Sequence, residues 1–178
     1  MLREYLSEHR NAIVAEWYER VIAQYPPETA KFLRQKTDPF ANPVGAVLRE
    51  ELGPLYDAVV AGGDAARVDQ SLDRIIRVRA VQDFRPSDAL AFLVELKRVI
   101  RQRAESDGLA CGAEIAAVES RLDGVLLAAV DVYSRCRAQI FEIRVKDIRN
   151  RSLKMMERLN EWRTRRDEVG GPEATEPH

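Results

Sequence analysis

From about Ala113 to Arg165 the chain contains no proline and one glycine, Gly124. A run of this kind has few outcomes other than a single long helix, because nothing within it breaks the i→i−4 ladder. Apolar residues recur along it at helical spacing: Ile115, Val118, Leu122, Val125, Leu126, Ala129, Tyr133, Cys136, Ile140 and Ile143. Continued past Ile143, this stripe would carry Asp147 and Asn150 into a core, so it is read as ending there. A second stripe takes over, rotated by one residue: Phe141, Val145, Ile148, Ser152, Met155, Leu159 and Trp162. Its steps alternate between four and three, as the a and d positions of a coiled coil do. About 50 helical residues at 1.5 Å each would span roughly 75 Å, against a radius of gyration of about 14 Å for a domain of about 140 residues. The helix is therefore expected to project from the domain, and its second stripe needs a partner of its own.

Charge follows the same division. Residues 1–134 hold 17 basic and 21 acidic side chains, residues 135–166 hold 11 and 4, and residues 167–178 hold four acids with no Lys or Arg. The net charge of −1 therefore hides a +7 block on the last helix. Arg144, Lys146, Arg149, Arg151, Lys154, Arg158, Arg163, Arg165 and Arg166 flank the second stripe, the usual place for solvated charge beside a coiled-coil seam. Glu142, Asp147, Glu157 and Glu161 interrupt the positive field. Binding to nucleic acid or to an anionic membrane consequently ranks below self-association. The residues expected to carry that contact are Phe141, Val145, Ile148, Met155, Leu159 and Trp162.

The remainder also reads as helices. Leu2 to Tyr25 carries a broad apolar stripe and ends at Pro26-Pro27, and Glu28 to Lys36 forms a short second helix. Asn42 is placed as an N-cap, with Pro43 at the first helical position, where its missing N–H costs nothing. Val44, Leu48, Leu52, Leu55, Tyr56 and Val59 follow, and Gly62-Gly63-Asp64 closes that helix as a turn. Ala89 to about Arg103 carries a clean stripe from Ala89 through Phe92, Leu93, Leu96 and Val99 to Ile100. Nothing alternates with the period of a strand. The expected fold class is all-α.

One helix face contains a conflict. Arg79 and Asp83 fall between Leu72 and Ile76 on an apolar face, just before the corner at Pro86. Being four apart they can pair with each other, and a charge so placed is costly unless it is paired. They are read as a structural polar pair rather than as a ligand contact.

Chemistry finds little to work with. His9 is the only histidine before the C-terminal residue, so there is no His-based triad or metal cluster, and an enzyme is not expected. Cys136 lies in a core stripe and Cys111 at a helix start, without redox or metal spacing. No haem, metal or other cofactor is expected. There is no membrane span and no signal-peptide pattern, and the expectation is a cytoplasmic protein.

Three stretches carry a resemblance: Asn42-Pro43-Val44-Gly45, the run from Arg74 to Ser87 with its Ile-Arg-Val-Arg-Ala-Val-Gln-Asp-Phe core, and Phe92 to Lys97. Together they resemble the N-terminal domain family of RsbRD-type RsbT co-antagonists, stressosome proteins that regulate a general-stress sigma factor. The likeness spans roughly Glu4 to Arg151. Family members usually have Ser or Thr where this chain has Arg85, which weakens one helix cap. They also continue into a STAS domain, whereas this sequence stops at His178.

The resemblance implies a globin-like sensor or scaffold of about six helices that dimerises and directs its C-terminal helices toward an output domain. The partner it implies in trans is a STAS-domain protein or a kinase. The organisation expected is a helical domain over 1–143, a basic coiled-coil helix over 144–166 and an acidic disordered tail over 167–178. The function expected is a non-catalytic regulatory interaction module, a homodimer acting through its last helix. The alternatives are an adaptor or assembly factor for another complex and, more weakly, nucleic-acid binding by the basic helix.

Overall fold

The computed structural model describes residues 1–35, 38–62, 64–82, 84–109 and 112–169, with side chains as far as 166. Among the described residues the elements are α1 (Leu2–Glu8), α2 (Arg10–Ile22), α3 (Pro27–Gln35), α4 (Pro43–Ala61), α5 (Ala65–Val81), α6 (Pro86–Ser106) and α7 (Gly112–Val169), with no strand. The all-α reading holds, and the proline-free run forms one helix of 58 residues.

Helix ends fall where local chemistry puts them. The Asn42 side chain accepts the Gly45 N–H at 2.8 Å and donates to the Leu33 carbonyl at 3.1 Å, so one side chain caps α4 and ties it to α3. A Cβ at position 45 would overlap that side chain, which is why glycine occupies the third position after the cap. Gly62 ends α4 with φ 68°, a left-handed conformation that favours glycine. Asp64 caps α5 by accepting the Arg67 N–H at 2.9 Å. Arg85, at the N-cap of α6, makes no side-chain capping bond.

The expected single helix from Leu2 to Tyr25 is instead two. At His9 the backbone takes φ −93° and ψ 10°, between the α-helical region and the bridge. The His9 ring stacks on Tyr5 with centroids 4.2 Å apart, and Nδ1 lies 3.0 Å from the Tyr5 carbonyl. The apolar stripe continues through this break with Leu6, Ile13, Trp17, Val21 and Ile22, all fully buried. Periodicity alone therefore does not reveal it, and the break makes seven helices of the expected six.

Two compact units result, Met1–Arg137 and Ala138–His178. In the first, the stripes of α2, α4, α5 and α6 meet in one core that holds Trp17, Tyr56, Phe92, Leu48, Leu72 and Leu96. Burying each such side chain contributes about 1.5–3 kcal/mol. Two large aromatic side chains carry polar atoms inside and satisfy them: Trp17 Nε1 donates to the Phe92 carbonyl at 2.6 Å, and the Tyr56 hydroxyl donates to the Leu6 carbonyl at 2.8 Å. Burial pushes the Tyr56 phenol far above its ordinary range.

The N-terminal part of α7 closes this unit with Ile115, Val118, Leu122, Ala129, Val132, Tyr133 and Cys136 buried. Ile140 is half-buried, and Ile143 is exposed. The first stripe therefore ends at Cys136 and Ile140 rather than at Ile143, where no described residue covers the helix. In the second unit, every described side chain from Phe141 to Arg166 is exposed.

Candidate functional site

The second stripe of α7 is the first candidate. Phe141, Val145, Ile148, Met155, Leu159 and Trp162 are all exposed, Ile148 at 65% and Trp162 at 58%. On a regular helix their four–three spacing places them along one line, with Ser152 in the middle. Exposed apolar side chains scattered singly need no explanation, whereas a contiguous line of six marks a contact surface. Charged neighbours are held loosely. Arg151 reaches Asp147 at 2.8 Å and Arg165 reaches Glu161 at 3.7 Å, exposed pairs one turn apart. Such pairs contribute about 0.3–0.5 kcal/mol each. Arg166 lies over the Trp162 ring, 5.4 Å from its centroid.

The second candidate is Arg79. Its side chain is completely buried on the Leu72–Ile76 face of α5, where the sequence places it. Asp83, the expected partner, lies outside the described residues. Among the described residues Arg79 Nη2 donates to Gln24 Oε1 at 2.9 Å and to the Asp88 carbonyl at 2.8 Å. Its guanidinium sits over three rings, Phe84 at 4.9 Å, Tyr25 at 5.4 Å and Phe92 at 5.9 Å. Nε and Nη1 find no hydrogen-bond partner among the described residues. Burial lowers the Arg79 pKa from its ordinary value, against the raising influence of Tyr25 and Asp88. The three rings supply cation–π attraction to the guanidinium. They join the α2–α3 connection, the α5–α6 corner and α6 around one side chain. Here Arg79 acts as a rivet for the corner.

A third buried polar group has a weaker sequence signal. Glu51 is buried in α4 and accepts from Ser71 Oγ at 2.8 Å, while Arg74 hydrogen-bonds to its other oxygen and Arg67 lies 3.5 Å away. It shares a face with Leu48, Leu52 and Leu55, the same kind of charge-on-apolar-stripe conflict that singles out Arg79. The arrangement joins α4 to α5 around a buried carboxylate, so it has a structural use.

A groove of about 530 Å³ between α6 and α7 is lined by Leu90, Val94, Leu126, Val130, Tyr133 and Arg137 among others, with no carboxylate, histidine or cysteine in its walls. Among the described residues, no three His, Cys, Asp or Glu side chains cluster as metal ligands would. Burial pushes the Cys136 thiol up, which suits an inert core position. Cys111 lies outside the described residues. No helix among them is long and apolar enough to cross a membrane.

These features describe a helical domain whose buried Arg79 and Glu51 tie helices together and whose last helix carries a line of exposed apolar side chains. Residues 11–146 match the family described as the RsbT co-antagonist protein rsbRD N-terminal domain, and the chain belongs to that family. It is also 26% identical, over 164 residues, to an uncharacterized protein of Archaeoglobus fulgidus, the match covering 88% of this chain and 95% of the relative. No solved structure matches it significantly.

Proposed function

We propose that the chain is a non-catalytic regulatory module of the stressosome co-antagonist kind, working by protein contact through α7. The observation that carries this reading is the exposed line from Phe141 to Trp162, on a chain that belongs to a co-antagonist domain family. The partner in trans is a STAS-domain protein or a kinase encoded in the same genome. Binding of each such protein to immobilised full-length chain, and to a form ending at Arg144, tests this. Binding that disappears with the truncation supports the reading, and failure of all of them to bind the full chain overturns it.

The adaptor reading draws on one observation. The Archaeoglobus fulgidus relative is matched over 95% of its own length, so little of that protein lies outside the match. On that reading α7 engages a complex with no STAS member, and the same panel would come back empty while another assembly is retained. A second copy of the chain and a partner in trans would compete for the same seam, and the flanks of the seam bear on which one fits.

A further inference from the structure

We infer that the occupant of the α7 seam is an amphipathic helix of a different protein, with acidic side chains flanking its own apolar line. This rests on the reading above that α7 is the working surface, and it names the chemistry of the partner.

The heptad register sets the argument. Val145, Ser152 and Leu159 occupy a positions, and Phe141, Ile148, Met155 and Trp162 occupy d positions. The g positions are then Arg144, Arg151, Arg158 and Arg165, all arginine, and the e positions are Glu142, Arg149, Met156 and Arg163. All of these side chains are exposed.

A parallel second copy would set each g residue against the e residue five positions later in its neighbour. Arg144 would face Arg149, Arg158 would face Arg163, and Arg151 would face Met156, each contact occurring twice by symmetry. Glu142 is the exception, but the g residue that would meet it, Arg137, already donates to the Ala80 carbonyl at 3.2 Å. An antiparallel copy sets g against g, which is arginine against arginine throughout. Like charges across a seam act against the wrong partner. A helix with Glu or Asp at its e and g positions sets opposite charge against each of the flanking arginines, leaving Met156 neutral and Glu142 in a like-charge contact. Arg151 is free to change partners, since its bond to Asp147 joins two exposed groups on one helix.

A lipid surface fits less well. Arg149 and Arg163 on one side and Arg151 and Arg158 on the other confine the apolar face to the a and d line, widened only locally by Leu153 and Met156. A helix lying in a membrane presents a broader face than this. Glu142, Asp147, Glu157 and Glu161 would also add repulsion from anionic headgroups.

The test uses the full chain and two fluorescent synthetic helices of about four heptads. Both carry Ile at a and Leu at d, one with Glu at every e and g and the other with Lys. The Glu helix should bind roughly tenfold or more tightly than the Lys helix. The combined variant Arg144→Glu, Arg151→Glu, Arg158→Glu should reverse the preference, with unchanged circular dichroism showing that it still folds. Equal affinity for the two helices, or no binding of the Glu helix, overturns the inference. So does sedimentation showing a wild-type dimer that Ile148→Asp dissociates, which would place a second copy in the seam. Binding of phosphatidylserine vesicles in place of either helix would assign the seam to a membrane. A silent STAS and kinase panel with the Glu preference intact would sink the regulatory assignment alone.

Discussion

The two halves of α7 share a backbone ladder and each carries an apolar line at helical spacing, yet these lines have opposite fates. Leu122, Ala129, Tyr133 and Cys136 are buried, whereas Phe141, Ile148, Met155 and Trp162 are open. The charges differ in the same way. In the first half Arg121 Nε donates to the Val59 carbonyl at 2.9 Å, and Arg137 Nη1 donates to that of Ala80, so both satisfy carbonyls near the ends of other helices. In the second half Arg151 and Arg165 pair with carboxylates one turn away on α7 itself. An apolar line at helical spacing therefore says that a face needs covering. What supplies the cover has to be read from the charges on either side of it.

The largest effect that would break this contrast comes from exchanging arginines. Arg79→Ala removes a fully buried side chain, opens a cavity among three rings and strands the Asp88 carbonyl and Gln24. It should cost about 3–5 kcal/mol in urea unfolding. Arg79→Met, which keeps most of the volume and removes an incompletely paired charge, should recover most of that loss. Arg151→Ala, at an exposed position, should fall within about 0.5 kcal/mol of the parent. An Arg79→Ala protein as stable as the parent would mean that the rings do not depend on the guanidinium.

Leucine and isoleucine give the next contrast. Leu122→Ala in the buried half should lose about 2–5 kcal/mol, and Ile148→Ala in the open half about 0.5 or less. If Ile148→Ala proves as damaging as Leu122→Ala at working concentrations, the second stripe is already covered in solution, and its cost should then depend on protein concentration.

How much of this was legible in the sequence can be judged residue by residue. The caps at Asn42 and Gly62, the stripe of α6 and the placement of Arg79 on an apolar face followed from spacing and local chemistry. The break at His9 did not, because a one-residue change of backbone angle leaves the phase of the stripe intact. The rings around Arg79 were out of reach for another reason. Tyr25 and Phe92 are 54 and 13 positions from it, and no helical period links them. Glu51 lay on an apolar face in plain view but was not singled out, since a carboxylate among alternating Leu residues looks like any solvated position until its neighbours are known. The exposure of the second stripe was legible only through the length of the helix that carries it.

A smaller effect sharpens the picture at the start of α4. Asn42→Ala should cost about 1 kcal/mol, the worth of one N-cap. Leu33's carbonyl also accepts from Arg49 Nη1 at 3.1 Å, so losing the Asn42 amide does not orphan it. A loss several times larger would show that the tie between α3 and α4 matters beyond the cap.

The smallest expected effect is alkaline. All five tyrosines lie within Met1–Arg137, so phenol titration reports that unit and is blind to the seam. Burial, assisted by a 2.5 Å hydrogen bond to Asp107, pushes the Tyr5 phenol from 10.0 up to about 12. A raised folded-state pKa gives a contribution to stability that is complete below pH 10.0 and is lost as the pH rises through about 12. Ultraviolet titration of the parent minus Tyr5→Phe should show one late phenol. A difference curve centred at the ordinary value would remove Tyr5 from that contact.

The Leu2 amide donates to Glu114 Oε2 at 2.6 Å, across 112 positions of chain. At roughly 5–20 residues per second of synthesis, the first helix waits about 6–22 s before the residue that fastens it exists. During that interval Leu2 and Leu6, destined for full burial, are available to any hydrophobic surface nearby. A growing chain of this design therefore carries its greatest exposure to misassociation at the end made first, and its need for chaperones is set by the ribosome's pace.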